Sequence, residues 1–239
     1  MRVGDLVRAE ELYREVLEVA RELGDVEGEA RALSDLGTVA AVAGELPKAR
    51  GLLEESVERY RELGVPRGLA IALSNLGDAA GQEQRYGEAI AVTTEALAIQ
   101  QELADRGRQA ISLYNLGYYC LQSGDADSAR GWLERAAALA YELGYKEVLA
   151  YALASFVRLC LPEGDAPRAA YLAGIADGLL AEAGLRLQPT EQHLFDQAKE
   201  TLERELGEEY TATHDTALAT PLEEALRHGA VVAETSATP

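Results

Sequence analysis

The chain has 239 residues, a formal net charge of −19 and no cluster of lysine or arginine, which argues against a nucleic-acid surface and against attachment to anionic membranes. Alanine, leucine, glutamate and arginine dominate the composition, and this favours an all-α protein. The N-terminus lacks the apolar core of a signal peptide, and the longest largely apolar run, Val148 to Val157, is too short to span a bilayer. We therefore expect a cytoplasmic protein with no direct nucleic-acid or membrane partner.

The first helix is expected from Asp5 to Leu23, and Met1 to Val3 would form the end of a helix before it. Its apolar stripe would be half uncovered, although repeat proteins normally carry a polar cap at each end; the stripe comprises Leu6, Tyr13, Val16 and Leu17. Two interpretations remain open, a docking surface or a truncated first repeat of a larger protein. The uncovered stripe is expected to drive self-association or to bind the missing helix when another chain supplies it, and this result tests the interpretation as a truncated repeat.

The next region contains an internal repeat with a period of 40 residues. Three segments align without gaps: RALSDLGTVAAVAGELPKARGLLEES from Arg31, IALSNLGDAAGQEQRYGEAIAVTTEA from Ile71, and ISLYNLGYYCLQSGDADSARGWLERA from Ile111. The aligned positions hold a glycine (Gly37, Gly77, Gly117), an alanine twelve residues later (Ala49, Ala89, Ala129) and a small residue seven further on (Ser56, Ala96, Ala136). The register extends to Gly4, Asp5 and Ala9 on one side and to Gly164, Asp165 and Ala169 on the other.

Each repeat unit is expected to contain two helices of roughly 17 residues joined by a glycine and an acidic residue. The glycine can adopt the left-handed conformation that ends a helix, and the acid favours the start of the next one. A glycine inside the first helix costs about 1 kcal/mol relative to alanine. We expect close packing of Gly117 against Ala129, where the two helices cross, to offset that cost.

The stretch from Leu113 to Ala136, with its Leu-x-Asn-Leu-Gly opening, its Gly-Asp turn and its two spaced alanines, resembles a tetratricopeptide repeat. The resemblance implies a right-handed all-α solenoid of about four and a half helical pairs, covering residues 1–184. The 40-residue period is longer than the usual 34; longer units of this kind occur in bacterial signalling members of the family.

The region from Tyr171 is similar to the end of certain bacterial multidomain regulators that carry a signal-transduction ATPase, often a winged or LuxR-type DNA-binding domain, and a C-terminal repeat array. The matching features are the helix beginning at Tyr171, a helix opened by Pro189, LGEEY at Leu206 and LEEAL at Leu222. Helices are expected over Pro189–Leu206, Glu208 to about Leu218, and Pro221–Arg227, so that residues 185–228 form a cap. The tail, 229–239, is expected to be disordered.

No catalytic or ligand-binding motif appears in the sequence. There is no phosphate-binding loop, and His193, His214 and His228 lack the spacing of metal ligands. Cys120 and Cys160 form no redox motif and read as small buried helix residues. We therefore expect no enzyme activity, no cofactor and no metal.

The sequence does predict a binding surface along the first helix of each repeat. Its side chains recur at helical spacing on the face opposite the second helix. In the family this stripe lines a concave groove. Its candidate residues are Arg31, Ser34, Thr38, Ile71, Ser74, Asn75, Asp78, Gln82, Tyr114, Asn115, Tyr118, Gln122, Tyr151 and Arg158. Tyrosines concentrate in the third and fourth repeats, where they serve either binding or packing against the next repeat.

These observations predict a non-catalytic protein-interaction or sensor module, and the resemblance implies the C-terminal region of a bacterial signalling or transcription regulator. Two alternatives remain open. The first is a free-standing scaffold or adaptor that binds a peptide in the concave groove. The second is a sensor that holds a small-molecule effector inside the curve.

Overall fold

The computed structural model describes residues 3–229, and within that range the regular structure is entirely helical. The helices are α1 (Val3–Leu23), α2 (Val26–Val42), α3 (Leu46–Leu63), α4 (Pro66–Gln82), α5 (Tyr86–Glu102), α6 (Arg106–Ser123), α7 (Ala126–Leu143), α8 (Lys146–Cys160), α9 (Ala166–Ala183), α10 (Pro189–Leu206), α11 (Glu208–Ala219) and α12 (Leu222–His228). The predicted all-α class is confirmed.

One expectation at the N-terminus is wrong. Gly4 and Asp5 were expected to form the turn between two helices, but α1 begins at Val3, so both residues lie inside its first turn. An acidic residue in the first turn interacts favourably with the helix dipole, which allows the helix to run through this position. The tail expected to be disordered lies, from residue 230 onwards, outside the described residues.

The chain divides into two compact units, residues 1–108 and 109–239, with the boundary in the first turn of α6. In the first unit, α1 to α5 pack in sequence, each against the next, and α2 also contacts α4. In the second unit, α7 packs on α8 and α8 packs on α9. As far as α9, both units therefore consist of consecutive antiparallel helical hairpins.

The turns between helices follow a shorter period than the sequence repeat. A residue with positive φ recurs every 20 residues, at Gly24, Gly44, Gly64, Gln84, Ala104, Gly124, Gly144, Gly164 and Gly184. At Gly64, for example, the left-handed conformation lets the Val65 amide donate to the Tyr60 carbonyl at 3.3 Å, which satisfies an acceptor at the end of the helix. The even spacing makes the two helices of each 40-residue repeat nearly equal in length.

Several helices begin at an acidic cap. The side chains of Asp25, Asp125 and Asp165 each accept a hydrogen bond from the amide three residues ahead, at 2.9, 3.1 and 3.3 Å. Such caps satisfy one of the amides that a helix start leaves without a partner. The expected role of the acidic residue after the turn glycine is confirmed at these three positions.

The glycines inside the first helices mark close helix crossings. A Cβ added at Gly37 would lie 2.6 Å from Leu53 Cγ, and one added at Gly117 would lie 2.6 Å from Leu133 Cγ. The predicted close approach is therefore confirmed, but the atoms nearest to Gly117 belong to Leu133 and not to Ala129. The leucine, one helical turn beyond the alanine, inserts into the space that the glycine leaves, and both leucines are fully buried.

The C-terminal helices do not simply extend the row of hairpins. The helix that packs along α9 is α11, whereas α10 contacts α8 as well as α9. Asp177 joins α9 to α10 and α11, since it accepts from Lys199 of α10 at 3.1 Å and lies 3.0 Å from His214 Nε2 of α11. Within residues 3–229, none of the helices combines the length and the apolar character needed to cross a membrane.

Candidate functional site

In the first unit, the predicted stripe is only partly accessible. Arg31, Thr38, Asp78 and Gln82 are exposed, Ile71, Ser74 and Asn75 are half-buried, and Ser34 is buried. The inner members hydrogen-bond to neighbouring helices. Asn75 Nδ2 donates to Ser34 Oγ at 3.1 Å, and Gln100 Nε2 of α5 donates to Ser74 Oγ at 3.2 Å. These bonds leave the four exposed residues as the part of the stripe that a partner can reach.

In the second unit, the stripe is built around three tyrosines. The rings of Tyr114 on α6 and Tyr151 on α8 meet edge to face, with centroids 5.5 Å apart, and Tyr118 lies 6.3 Å from Tyr114. Tyr114 and Tyr151 are each only 8% exposed, and Tyr118 is half-buried. Such tilted and edge-on arrangements are the favoured geometry of aromatic pairs.

The residues that cover these tyrosines lie in 185–192, which we call the covering segment. Tyr114 Oη donates to a carboxylate oxygen of Glu191, in the first turn of α10, and Tyr151 Oη donates to the Arg186 carbonyl at 3.3 Å. Leu187 is buried beside them. The space among these side chains has room for about one water molecule. The chain itself therefore fills this part of the stripe.

The remaining stripe residues of the second unit lie at the edge of the same cluster. Arg158 contributes to its lining and donates to the Gln122 side-chain oxygen at 3.4 Å. Asn115 is half-buried. The assignment of these residues to a binding groove stays a prediction, but the structure shows that a partner could contact Tyr114 or Tyr151 only after the covering segment moves.

The electrostatics of the cluster centre on a buried carboxylate. Burial raises the pKa of Glu191, although the hydrogen bond from Tyr114 and the charge of Arg158 act in the opposite direction. Burial and the neighbouring Glu191 carboxylate hold the pKa of Tyr114 well above its usual value. Glu191 Oε2 is buried and has no hydrogen-bond partner among the described residues. Unpaired buried carboxylate oxygens are costly.

Sequence reasoning missed three residues that contact the stripe: Leu187 and Glu191 in the second unit, and Gln100 in the first. Gln100 occupies a position on α5 that reads as one more polar helix residue. Leu187 precedes α10 outside the repeat register, and nothing in the sequence indicates that it returns to α6. Only Pro189, at the first position of a helix, marked the place where a new element begins.

The structure offers no further chemistry at the other residues singled out in the sequence. Among the described residues, no group of histidine, cysteine, aspartate and glutamate could hold a metal ion. Cys120 and Cys160 are buried free thiols, and burial raises the pKa of both. His193 lies 3.0 Å from the Gln197 side-chain amide, and His214 belongs to the Asp177 contact. The cysteines pack in the core, His193 makes a contact within α10, and His214 makes a contact between helices.

Comparisons with known proteins agree with this geometry. A family model described as tetratricopeptide repeat matches residues 1–62 and 68–142. The crystal structure of BtubC (BKLC) from P. vanneervenii has a TM-score of 0.69 and 20% identity, and the match covers 93% of this chain and 92% of that one. Among curated proteins, no sequence gives a significant match.

Two further solved structures share the fold. A putative kinesin light chain from Podosopora anserina, with nearly identical TPR-like repeats, has a TM-score of 0.61 and 17% identity over 75% of this chain and 89% of that one. A Rap protein complexed with Competence and Sporulation Factor has a TM-score of 0.65 and 16% identity over 95% of this chain and 72% of that one. At these identities the likeness concerns the fold alone, and the predicted α-solenoid of helical hairpins is confirmed.

Proposed function

The chain belongs to the tetratricopeptide repeat family. We propose that it is a non-catalytic scaffold that binds a protein or peptide along the stripe formed by the first helix of each repeat. The stripe in the first unit presents Arg31, Thr38, Asp78 and Gln82 to solvent. The stripe in the second unit contains tyrosines that the chain itself covers, and tyrosines supply large contact areas at a small entropic cost once they are uncovered.

One observation carries this proposal. In the second unit a polypeptide segment already lies on the stripe, with its carboxylate on the Tyr114 hydroxyl and its backbone carbonyl on the Tyr151 hydroxyl. These are the contacts that a bound peptide would make: an acidic side chain and a main-chain acceptor on two tyrosines. The same close filling gives less support to a small-molecule site, since the space that remains holds about one water molecule.

We further propose that the scaffold acts as a partner-docking region in a bacterial signalling or transcription regulator. The resemblance of the region from Tyr171 to such regulators supports this context. The Rap protein, complexed with Competence and Sporulation Factor, shows that a chain of this fold can hold another molecule. The net charge of −19 supports partners other than nucleic acids and anionic membranes.

A second face supports the same interaction role. The exposed side of α1 forms an apolar groove lined by Leu12, Val16, Val19 and Leu23, with Glu15 at its border. In the 40-residue register Val16 corresponds to Ser56, whose hydroxyl donates to the Ala30 carbonyl of α2 at 2.7 Å. The equivalent position of α3 is therefore covered by α2 and fully buried, whereas Val16 is 44% exposed. We propose that an amphipathic helix with basic flanking residues, from another protein, covers this groove.

The scaffold proposal is tested by affinity capture with paired variants. Thr38→Arg/Asp78→Arg changes the exposed stripe of the first unit, and Glu54→Arg/Glu58→Arg makes a charge change of the same sense on exposed positions of α3. We expect the first variant to lose partners that the wild type and the second variant retain. Equal capture by all three proteins would mean that the stripe is not the interaction surface.

A further inference from the structure

The covering segment on the second unit is separate from the elements that continue the row of hairpins. The helix packed along α9 is α11, and Gly174 of α9 allows it to come close, since a Cβ there would lie 2.8 Å from the Ala217 methyl group. The second unit therefore receives its next helix without α10. The contact between the start of α10 and α6 needs another explanation.

The covering segment contacts the stripe with two side chains that are four residues apart in the sequence. Residues 185–188 are not helical, and α10 begins at Pro189. Leu187 is buried among the stripe residues, and Glu191 follows four residues later with its carboxylate on Tyr114. The rest of α10 is held by other contacts, with Phe195 and Leu202 fully buried and Lys199 on Asp177. The first turn of α10 could therefore leave the stripe while the remainder of the helix stays in place.

The contact made by Glu191 is incompletely satisfied. One carboxylate oxygen accepts from Tyr114, but Oε2 is buried without a hydrogen-bond partner among the described residues. Burial of this carboxyl disfavours its charged form, and the hydrogen bond from Tyr114, the backbone hydrogen bond from Gln188 and the charge of Arg158 oppose that cost only in part. The segment is therefore held less tightly than one whose polar groups are all paired, and a partner segment can compete with it for the stripe.

We propose that the stripe around Tyr114, Tyr118, Tyr151 and Arg158 is a binding site for a polypeptide segment with an apolar side chain four residues ahead of a carboxylate. The chain's own segment, 185–192, occupies this site as a competing intramolecular ligand. This inference rests on the proposed scaffold function and adds to it the chemistry of the partner and a means of regulation. A partner binds when it displaces the segment.

The test uses the full chain and a labelled peptide of residues 184–196. In the double variant Leu187→Ala/Glu191→Ala, the two side chains that hold the segment are removed, while Phe195, Lys199 and Leu202 remain. We expect the peptide to bind this variant at least tenfold more tightly than it binds the wild type, measured by fluorescence anisotropy. A peptide with Glu191→Ala, and a Tyr114→Phe change added to the double variant, should each weaken binding.

Two results would overturn the proposal. The first is a double variant that is folded by circular dichroism and binds no peptide; the segment is then ordinary packing. The second is equal binding to wild type and variant, which excludes competition. If the variant does not fold, hydrogen exchange of the wild type decides. The amide of Gln192 donates to the Gln188 carbonyl at 2.8 Å, and the amide of Ala169 makes the equivalent bond to Asp165 at the start of α9 at 3.0 Å. Gln192 should exchange well before Ala169, and equal exchange refutes a separable segment. Capture through Thr38 and Asp78 tests the scaffold function independently.

Discussion

Glycine in the middle of a helix has opposite effects at two positions of the second unit. At Gly117 an added Cβ would meet Leu133, whereas at Gly131 of α7 it would meet no atom within 4 Å. The helix propensity of glycine is equally poor at both. The packing contact therefore determines whether a substitution stabilises the protein.

We predict that Gly117→Leu lowers the free energy of unfolding by on the order of 1–3 kcal/mol or more, because the side chain overpacks the crossing with Leu133. Gly131→Ala should raise it by about 0.5–1 kcal/mol, since the helix gains and nothing clashes. Urea denaturation monitored by circular dichroism measures both. Equal or higher stability for Gly117→Leu would contradict the crossing model.

The stripe tyrosines differ in burial, and this separates packing from binding. We predict that Tyr114→Ala destabilises the protein by about 3 kcal/mol, as expected for a buried aromatic side chain, whereas Tyr118→Ala costs much less. Thermal melting of the two single variants provides the comparison. If Tyr114→Ala melts like the wild type, the ring is not part of the core and the covering contact is not formed in solution.

The raised pKa of Glu191 predicts a pH dependence. The groups facing this carboxyl are Tyr114 and Tyr118 of α6 and Tyr151 and Arg158 of α8. Because the folded pKa lies above the ordinary value of 4.5, the folded state binds the proton more tightly than the unfolded state. Stability from this group therefore increases as the pH falls through the raised pKa towards 4.5.

The variant Glu191→Gln removes this titration. We expect the difference in unfolding free energy, wild type minus Glu191→Gln, to grow in favour of the wild type as the pH is lowered from 7 to 4.5. The exposed Glu54→Gln provides the control for general charge effects. A difference that is independent of pH would show that Glu191 is not buried against the stripe.

At the scale of elements, two turns depart from the glycine rule. Gln84 and Ala104 occupy the left-handed position with φ of 61° and 51°, which is unfavourable for residues with a Cβ. We predict that Ala104→Gly raises the unfolding free energy by about 0.5–1 kcal/mol and that Gly144→Ala at an equivalent turn lowers it by a similar amount. Denaturant melts of the two variants, moving in opposite directions, test this; a loss of stability in Ala104→Gly would contradict it.

The hairpins were predictable because they depend on local patterns. Helical spacing of apolar residues, the turn glycines and the acidic caps act within about twenty residues, and the sequence repeats them. The place of Leu187 and Glu191 on α6 was not predictable, since it depends on how a non-repeating segment packs over a distance of 77 residues. Likewise, the sequence indicated a small-residue crossing at Gly117 but could not distinguish Ala129 from Leu133 as its nearest neighbour.

At the scale of the whole molecule, the acidic surface limits which partners can cover α1. Val16 is 44% exposed and Leu23 is 77% exposed, and exposed apolar stripes of this kind mark interaction surfaces. Two copies of a chain with a net charge of −19 repel each other. This favours a basic-flanked helix from another protein over the self-association that the sequence also allowed.

We predict that a designed amphipathic helical peptide with leucine at its apolar positions and lysine at its flanks binds the wild type at least tenfold more tightly than Val16→Glu/Val19→Glu, at 0.3 M salt. Non-specific attraction to acidic protein would instead favour the variant, because it is more negative. Anisotropy measures binding, and sedimentation velocity measures assembly. Equal binding to both proteins, or a concentration-dependent dimer of the wild type alone, would contradict the proposed occupant.

The even 20-residue spacing of the left-handed turns has a consequence for how such a chain can change its length. Duplication or loss of a 40-residue block would join one turn to an equivalent turn and leave every flanking helix with its customary neighbours. A 20-residue block would exchange the two helix types and put the glycine-bearing face against the wrong helix. Recombination can therefore lengthen or shorten the repeat region in whole units, and each added unit supplies another row of stripe residues for selection to alter.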